Sequence, residues 1–227
     1  MKQCYLILLT TLLGTVSINI YANQLESAQD TSQAKPAIMY VCGGNSGRSV
    51  MAEWYTRKHY ANLVTAFSRG SGIDPDDQQT PEEYAAAIII ATHEATPAEI
   101  ELQRPTAATI QDINSANLVI TMTKSHKQRL LKLINRECLS SNINARDLSA
   151  SSKKQWLTMC QNKLLLTQKI YTLTECATGN NTDIADAFGK DKKFYERTQN
   201  TIAKYTDMIM QNYKTTGKFR IKLTVTT

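Results

Sequence analysis

The sequence predicts an α/β fold: a three-layer sandwich with a mostly parallel four-stranded sheet, helices on both faces, and a candidate extra edge strand at the C-terminus. Three observations predict it. Short apolar runs of strand length alternate with longer segments of helical period, the pattern of parallel strands joined by crossover helices. The runs are apolar on consecutive residues, as strands covered on both faces are. The first run ends in a cysteine and a glycine-rich loop, at the carboxyl edge where such sheets bind ligands. A chain of 227 residues has room for one such domain.

The elements follow in order. Residues 1–22, MKQCYLILLTTLLGTVSINIYA, carry one lysine, no acid and a long apolar run. They predict a secretory signal peptide cleaved after Ala22, and hence an exported chain, periplasmic or secreted. Residues 23–36 are polar and aperiodic and read as a linker. The domain itself is expected over 37–214. AIMYVC (37–42) is its first buried strand and MAEWYTRKHY the helix after it. NLVTAFS supplies a second strand. Thr80, Pro81 and Glu83 form a helix start, with a threonine cap and a glutamate three residues on, opening PEEYAAAIIIATHEA. ANLVITMT (116–123) is a third strand, and Ser125 can cap the helix SHKQRLLKLIN. From about 136 to 168 the pattern loosens into an inserted segment with a short helical piece, WLTMCQNKLLL. KIYTLTEC (169–176) returns to strand and GNNTDIADAFGKD is a loop. KKFYERTQNTIAKYTDMIMQNY is a long helix with Tyr195, Ile202, Tyr205 and Ile209 on one face. The tail, 215–227, alternates through KFRIKLTVT as an edge strand would.

Charge and cysteines narrow the function classes. The chain has 26 Lys and Arg against 20 Asp and Glu; loss of the leader removes only Lys2, leaving 25 against 20. The basic residues are scattered, with no aromatic-interleaved stripe, which argues against nucleic acid as a partner. No later segment is apolar enough to span a bilayer, so no stable membrane association is expected after cleavage. The oligomeric state is not encoded in any readable pattern. Cys42, Cys138, Cys160 and Cys176 follow the leader; their spacing fits no metal site, and no cofactor is implied. Cys138 and Cys160 flank the polar insert and form a candidate disulfide in an oxidising compartment. His59, His93 and His126 share no spacing and read as structural, and Trp54 as core.

The chemistry concentrates in CGGNSGRS, residues 42–49. A phosphate asks for several converging N–H donors and a positive helix end. Gly43, Gly44 and Gly47 let the backbone curl into a nest of N–H groups. Arg48 can grip two oxygens with its planar fork, and the helix beginning near Ser49 points its N-terminus into the same space. That field favours a thiolate at Cys42, placed beneath the phosphorus for in-line attack. Ser49 can hydrogen-bond the sulfur and Asn45 can pin the loop. Ser46 completes the set of loop residues expected at the substrate.

VCGGNSGRSVMAE resembles the low-molecular-weight protein tyrosine phosphatase signature, V-C-x-G-N-x-C-R-S-P-x-A-E. Ser68-Arg69-Gly70 is similar to the family's S-A-G, NLVITMTKSHK to its D-L-x-x-T-M-x-x-x-H, and DIADAFGKDKKFYE to its D-I-x-D-P-[FY]-G acid loop. The resemblance implies a metal-free phosphatase acting through a phosphocysteine at Cys42. It implies that Arg48 and the loop N–H groups hold the phosphoryl oxygens. Asp186 is then the general acid and later the base, ahead of its competitor Asp183. The expected substrate is a phosphorylated protein, in the first place phosphotyrosine, or a small phosphomonoester.

Departures bear on specificity. Val50 and Ala187 replace family prolines, Gly47 a frequent second cysteine whose absence denies Cys42 a disulfide partner, and GSGIDPDDQQT lacks the usual pocket aromatic. Phe188 is a candidate for the missing stack. Ser46 is small and polar, as in protein-arginine phosphatases of the family. A thiol-dependent arsenate reductase of the same fold and a catalytically dead phosphate-binding domain are the other readings.

Overall fold

A computed structural model of the chain describes residues 34–73, 80–139 and 149–220. The expected signal peptide at 1–22, nearly all of the linker and most of the tail fall outside these residues. Four parallel strands make the sheet: β1 (Ala37–Cys42), β2 (Thr65–Gly70), β3 (Leu118–Thr121) and β4 (Ile170–Thr172), in the order β2-β1-β3-β4. In register, Cys42 lies opposite Gly70, Val41 opposite Thr121, and Thr121 opposite Thr172. All four carboxyl ends therefore open on one edge, with β1 in the middle.

The two faces of β1 explain the layers. Side chains alternate along a strand, and here Ile38, Tyr40 and Cys42 join one core while Met39 and Val41 join another. The first core is covered by α1 (Arg48–Tyr60), α2 (Glu83–Ala91) and the long α9 (Lys192–Thr216). Tyr195, Ile202 and Ile209 of α9 are buried at a seven-residue spacing, which keeps them on one stripe. The second core is covered by α4 (Ile110–Ser115) and α5 (Lys124–Leu139), the latter burying Leu130 and Ile134 one turn apart.

Several boundaries differ from the sequence reading, each for a local reason. Helix α2 starts at Glu83 with Glu82 as its cap residue and no side-chain cap, so Thr80 does not cap it. The Glu82 carboxylate is engaged elsewhere, as described below. Two short helices were not foreseen: α3 (Pro97–Leu102), opened by a Thr96–Glu99 capping box, and α4, opened by a Thr109–Asp112 box. The strand expected over 169–176 stops at Thr172. There Thr172 and Glu175 form another capping box, and the chain turns into α8 (Leu173–Thr178). In helix α5 the N–H of His126 donates to the Thr123 hydroxyl at 3.2 Å, so Thr123 rather than Ser125 provides the hydroxyl cap.

The insert is largely helical. Helix α5 runs on to Leu139, and α6 (Ala150–Gln161) and α7 (Lys163–Gln168) return to the sheet. Met159 and Leu166 pack into the second core, and Cys138 and Cys160 are joined by a disulfide. Residues 219 and 220 form bends; the rest of the expected edge strand lies outside the described residues. Among the described residues no helix is long and apolar enough to cross a membrane.

Candidate active site

The loop between Cys42 and Arg48 is built by its carbonyls. Those of Cys42, Gly43, Ser46 and Gly47 accept hydrogen bonds from Ser71 N, Gly72 N, Glu82 N and Met51 N, at 2.9, 3.2, 2.9 and 2.9 Å. In a trans peptide the N–H points opposite to its carbonyl. The N–H groups of Gly43, Gly44, Gly47 and Arg48 therefore face the other way, into the loop, at the N-terminus of α1. That is the nest an anion needs.

The turn is made differently from the sequence expectation. None of the three loop glycines has a positive φ; the left-handed residue is Asn45, with φ 56°. Asparagine tolerates that region when its side chain bonds locally. Asn45 is fully buried and held on three sides. Its Nδ2 donates to Ser68 Oγ at 2.8 Å and Ser49 Oγ at 3.1 Å. Its Oδ1 accepts from Thr106 N at 2.9 Å. Ser68 donates in turn to the buried Glu53 carboxylate at 2.6 Å, and burial pushes Glu53 up from the usual carboxylate range. Ser49 Oγ lies 3.1 Å from Cys42 Sγ. A chain of polar contacts thus runs from Glu53 beneath the loop to the sulfur.

Gly47 has a steric reason. A Cβ there would lie 2.5–2.8 Å from the carboxylate of Glu82. That carboxylate cannot easily yield, because Ser46 Oγ donates to one oxygen at 2.8 Å and Tyr195 OH to the other at 2.5 Å. Burial and the same carboxylate push the Tyr195 phenol up. One side chain therefore ties together the loop, the start of α2 and α9.

Arg48 is buried and spans to the acid loop. Its two terminal nitrogens donate to Ile184 O at 2.9 Å and Asp186 Oδ2 at 2.5 Å. The Asp186 side chain is 60% exposed and opens on the cleft, with Oδ1 accepting from Phe188 N at 3.2 Å. Asp183 has other work: its carboxylate accepts from Lys124 N at 2.8 Å, capping α5. Hydrogen bonds from Ile184 N to Met122 O and between Thr174 and Thr182 fasten the loop beside Ala187. Phe188 is 64% exposed at the rim, and Trp54 lies in the core, under Arg57.

These groups line one cleft of about 550 Å³ that contains Cys42, Gly43, Gly44, Ser46 and Arg48 on its floor. Glu82, Asp183, Asp186 and Phe188 stand on its walls, as do His126 and Arg129 of α5. Of the residues expected from sequence, the structure brings Cys42, Arg48, Asp186, Ser49, Asn45, the loop glycines, Ser46 and Phe188 together. Cys138 and Cys160 are apart from them, in the insert. Sequence reading did not assign Glu82, Tyr195, Thr106 or Arg129 to the site. Glu82 carried a signal only as part of a helix start, and Thr106 acts through its backbone, which no motif can report.

A buried thiol above a nest of N–H groups, with an arginine and a carboxylate at hand, can bind a tetrahedral oxyanion and attack it. The profile of the family described as low molecular weight phosphotyrosine protein phosphatase matches residues 37–144, the stretch that holds β1, the anion loop and β3. Over this stretch the chain resembles that family, and it is a phosphatase. This phosphatase is 26% identical over 183 residues to a protein-arginine-phosphatase of Bacillus subtilis, an alignment covering 78% of this chain and 96% of the relative. Its fold matches the solution structure of a low-molecular-weight protein tyrosine phosphatase from Bacillus subtilis, with TM-score 0.58, 23% identity, and 80% and 99% of the two chains covered. It also matches the YwlE arginine phosphatase from Geobacillus stearothermophilus, with TM-score 0.56, 21% identity, and 79% and 94% covered. The protein is thus a cysteine-dependent phosphatase.

Proposed function

We propose that this phosphatase is an exported enzyme that removes the phosphoryl group from arginine side chains of proteins. The carrying observation is the Glu82 carboxylate, fixed beside the anion loop by Ser46 at 2.8 Å and Tyr195 at 2.5 Å. A guanidine leaving group departs as a cation with N–H donors, which a carboxylate wall accepts. A phenol brings neither charge nor extra donors and favours aromatic walls. The relative named as a protein-arginine-phosphatase points the same way.

In this reading the Cys42 thiolate attacks phosphorus as the P–N bond breaks, and Asp186 gives its proton to the departing nitrogen. Arg48 exchanges its bond to Asp186 for the phosphoryl oxygens, and the inward N–H groups complete the cradle. Asp186 then takes a proton from water, whose oxygen attacks phosphorus and releases phosphate and Cys42. A phosphotyrosine substrate, the first expectation from sequence, is the second reading; Phe188 at the rim favours it. The arsenate-reductase reading asks for a relay thiol near Cys42. Among the described residues the other free thiol, Cys176, is fully buried, and burial pushes it up to about 12. The leader-like residues 1–22 and the Cys138–Cys160 disulfide support export.

The test is kcat/KM on matched peptides carrying phosphoarginine or phosphotyrosine, for the wild type, Glu82→Gln and Cys42→Ser. Phosphoarginine should be preferred, the preference should shrink in Glu82→Gln, and Cys42→Ser should be inert. A phosphotyrosine preference untouched by Glu82→Gln would overturn the reading. For export, N-terminal sequencing of the mature product should begin at Asn23; an intact Met1 in the cytosol would exclude it.

A further inference from the structure

The cleft carries both signs of charge. Glu82, Asp183 and Asp186 line it together with Arg48 of the anion loop and Arg129 of α5. Arg129 is exposed, and among the described residues it makes no hydrogen bond or ion pair. Its neighbours do pair: Lys127, two residues before it, bonds Glu175 at 2.8 Å. The free guanidinium is nonetheless seated. Its Nη1 lies 3.0 Å from where a Cβ on Gly72 would be, so it rests on a residue that has no side chain to displace it. Gly72 in turn donates to Gly43 O at 3.2 Å, which places this seat on the rim of the anion loop. His126, buried between the α5 side and the loop, is held below the ordinary imidazole range by burial first, then by the charges of Arg48 and Arg129. Both arginines therefore act on the same small volume. Arg48 belongs to the phosphoryl group. Arg129 is a second fixed cation whose planar fork suits a carboxylate.

We propose that Arg129 is a specificity residue that selects substrates with an acidic side chain next to the phosphorylated residue. The carboxylate of that neighbour meets the Arg129 fork while the leaving group faces Glu82. The inference rests on the phosphoprotein reading above and deepens it from a phosphorylated residue to an acidic sequence around it. A cationic neighbour is disfavoured by the same charge.

The experiment compares kcat/KM on three otherwise identical phosphopeptides, with aspartate, alanine or lysine on both sides of the phosphorylated residue. The wild type should favour the aspartate peptide over the alanine peptide by about fivefold, the upper end for an exposed ion pair. Arg129→Gln should bring that ratio close to one, and Arg129→Glu should reverse the order in favour of the lysine peptide. The preference should also fall with added salt. A wild-type ratio near one, or a ratio that Arg129→Gln and Arg129→Glu leave unchanged, overturns the inference while the phosphatase reading stands. Wild-type turnover of p-nitrophenyl phosphate no faster than Cys42→Ser would overturn both.

Discussion

Replacing His126 with glutamine should make the protein less sensitive to acid, although it removes a buried ring from a packed site. The imidazole is lowered from 6.5 to about 4, chiefly because burial penalises the cation. Arg48 and Arg129 add repulsion, and Asp186 and Asp183 offset part of it. Its Nδ1 is buried without a partner among the described residues. A folded-state value below the unfolded one means the native state prefers neutral histidine. The stability this gives is complete above the unfolded value and is lost as pH falls through the folded one. A fall from 6.5 to about 4 corresponds to about 3 kcal/mol in all, of which about 2 kcal/mol disappears between pH 7 and pH 5. Urea unfolding of the wild type and His126→Gln at both pH values isolates this part, because every other titrating group is common to both. The wild type should lose about 2 kcal/mol more than the variant, a midpoint shift of about 1 M urea. Equal losses, or a smaller loss in the wild type, would show that His126 is free to protonate in the folded protein.

Gly47→Ala should destabilise the fold by about 1–3 kcal/mol, the usual cost of an overpacked site, and Glu82→Ala in the same chain should recover most of it; thermal melts that show no loss would refute the clash. Asp186→Asn should lower kcat by about a hundredfold or more as a lost general acid. Asp183→Ala should lower the melting temperature through its helix cap, worth about 1 kcal/mol, with a smaller effect on kcat; the reverse order would reassign the acid. Reduction of the Cys138–Cys160 bond, which closes a separation of 22 residues, should cost about 3 kcal/mol on the loop-entropy argument; denaturation midpoints unchanged by reductant would contradict that. Ser49→Ala should lower kcat, since the hydroxyl 3.1 Å from the Cys42 sulfur can donate to it as it leaves the phosphocysteine; an unchanged kcat would remove that role.

Legibility followed how local the determinant was. The strands, the long helix α9 and the loop from Cys42 to Arg48 were readable because their signals lie within a few consecutive residues. The apolar run of β1 encodes two faces at once, and the seven-residue spacing of α9 encodes one. Asp186 was readable through its acid-loop motif. The misreadings came where short polar signals compete with apolar runs. Thr172 and Glu175 open a helix inside a stretch whose apolar and β-branched residues suggested strand. Thr96 and Thr109 open helices of six residues each, too short for periodicity to register. Glu82 and Arg129 were missed for another reason. Each is an ordinary helix residue in sequence, and only the sheet order β2-β1-β3-β4 brings α2 and α5 to the same edge.

The Glu82 contacts carry a consequence for how this enzyme can change over evolutionary time. Positions 46, 47, 82 and 195 come from three distant parts of the chain, yet they share one carboxylate. A larger or apolar residue at 46 would strand that carboxylate, a side chain at 47 would expel it, and a phenylalanine at 195 would unpin it. Any drift toward a different leaving group must therefore pass through coordinated replacement at all four. Relatives of this chain should show serine or threonine at 46, glycine at 47 and a hydroxyl at 195 wherever an acid stands at 82, and lose them together.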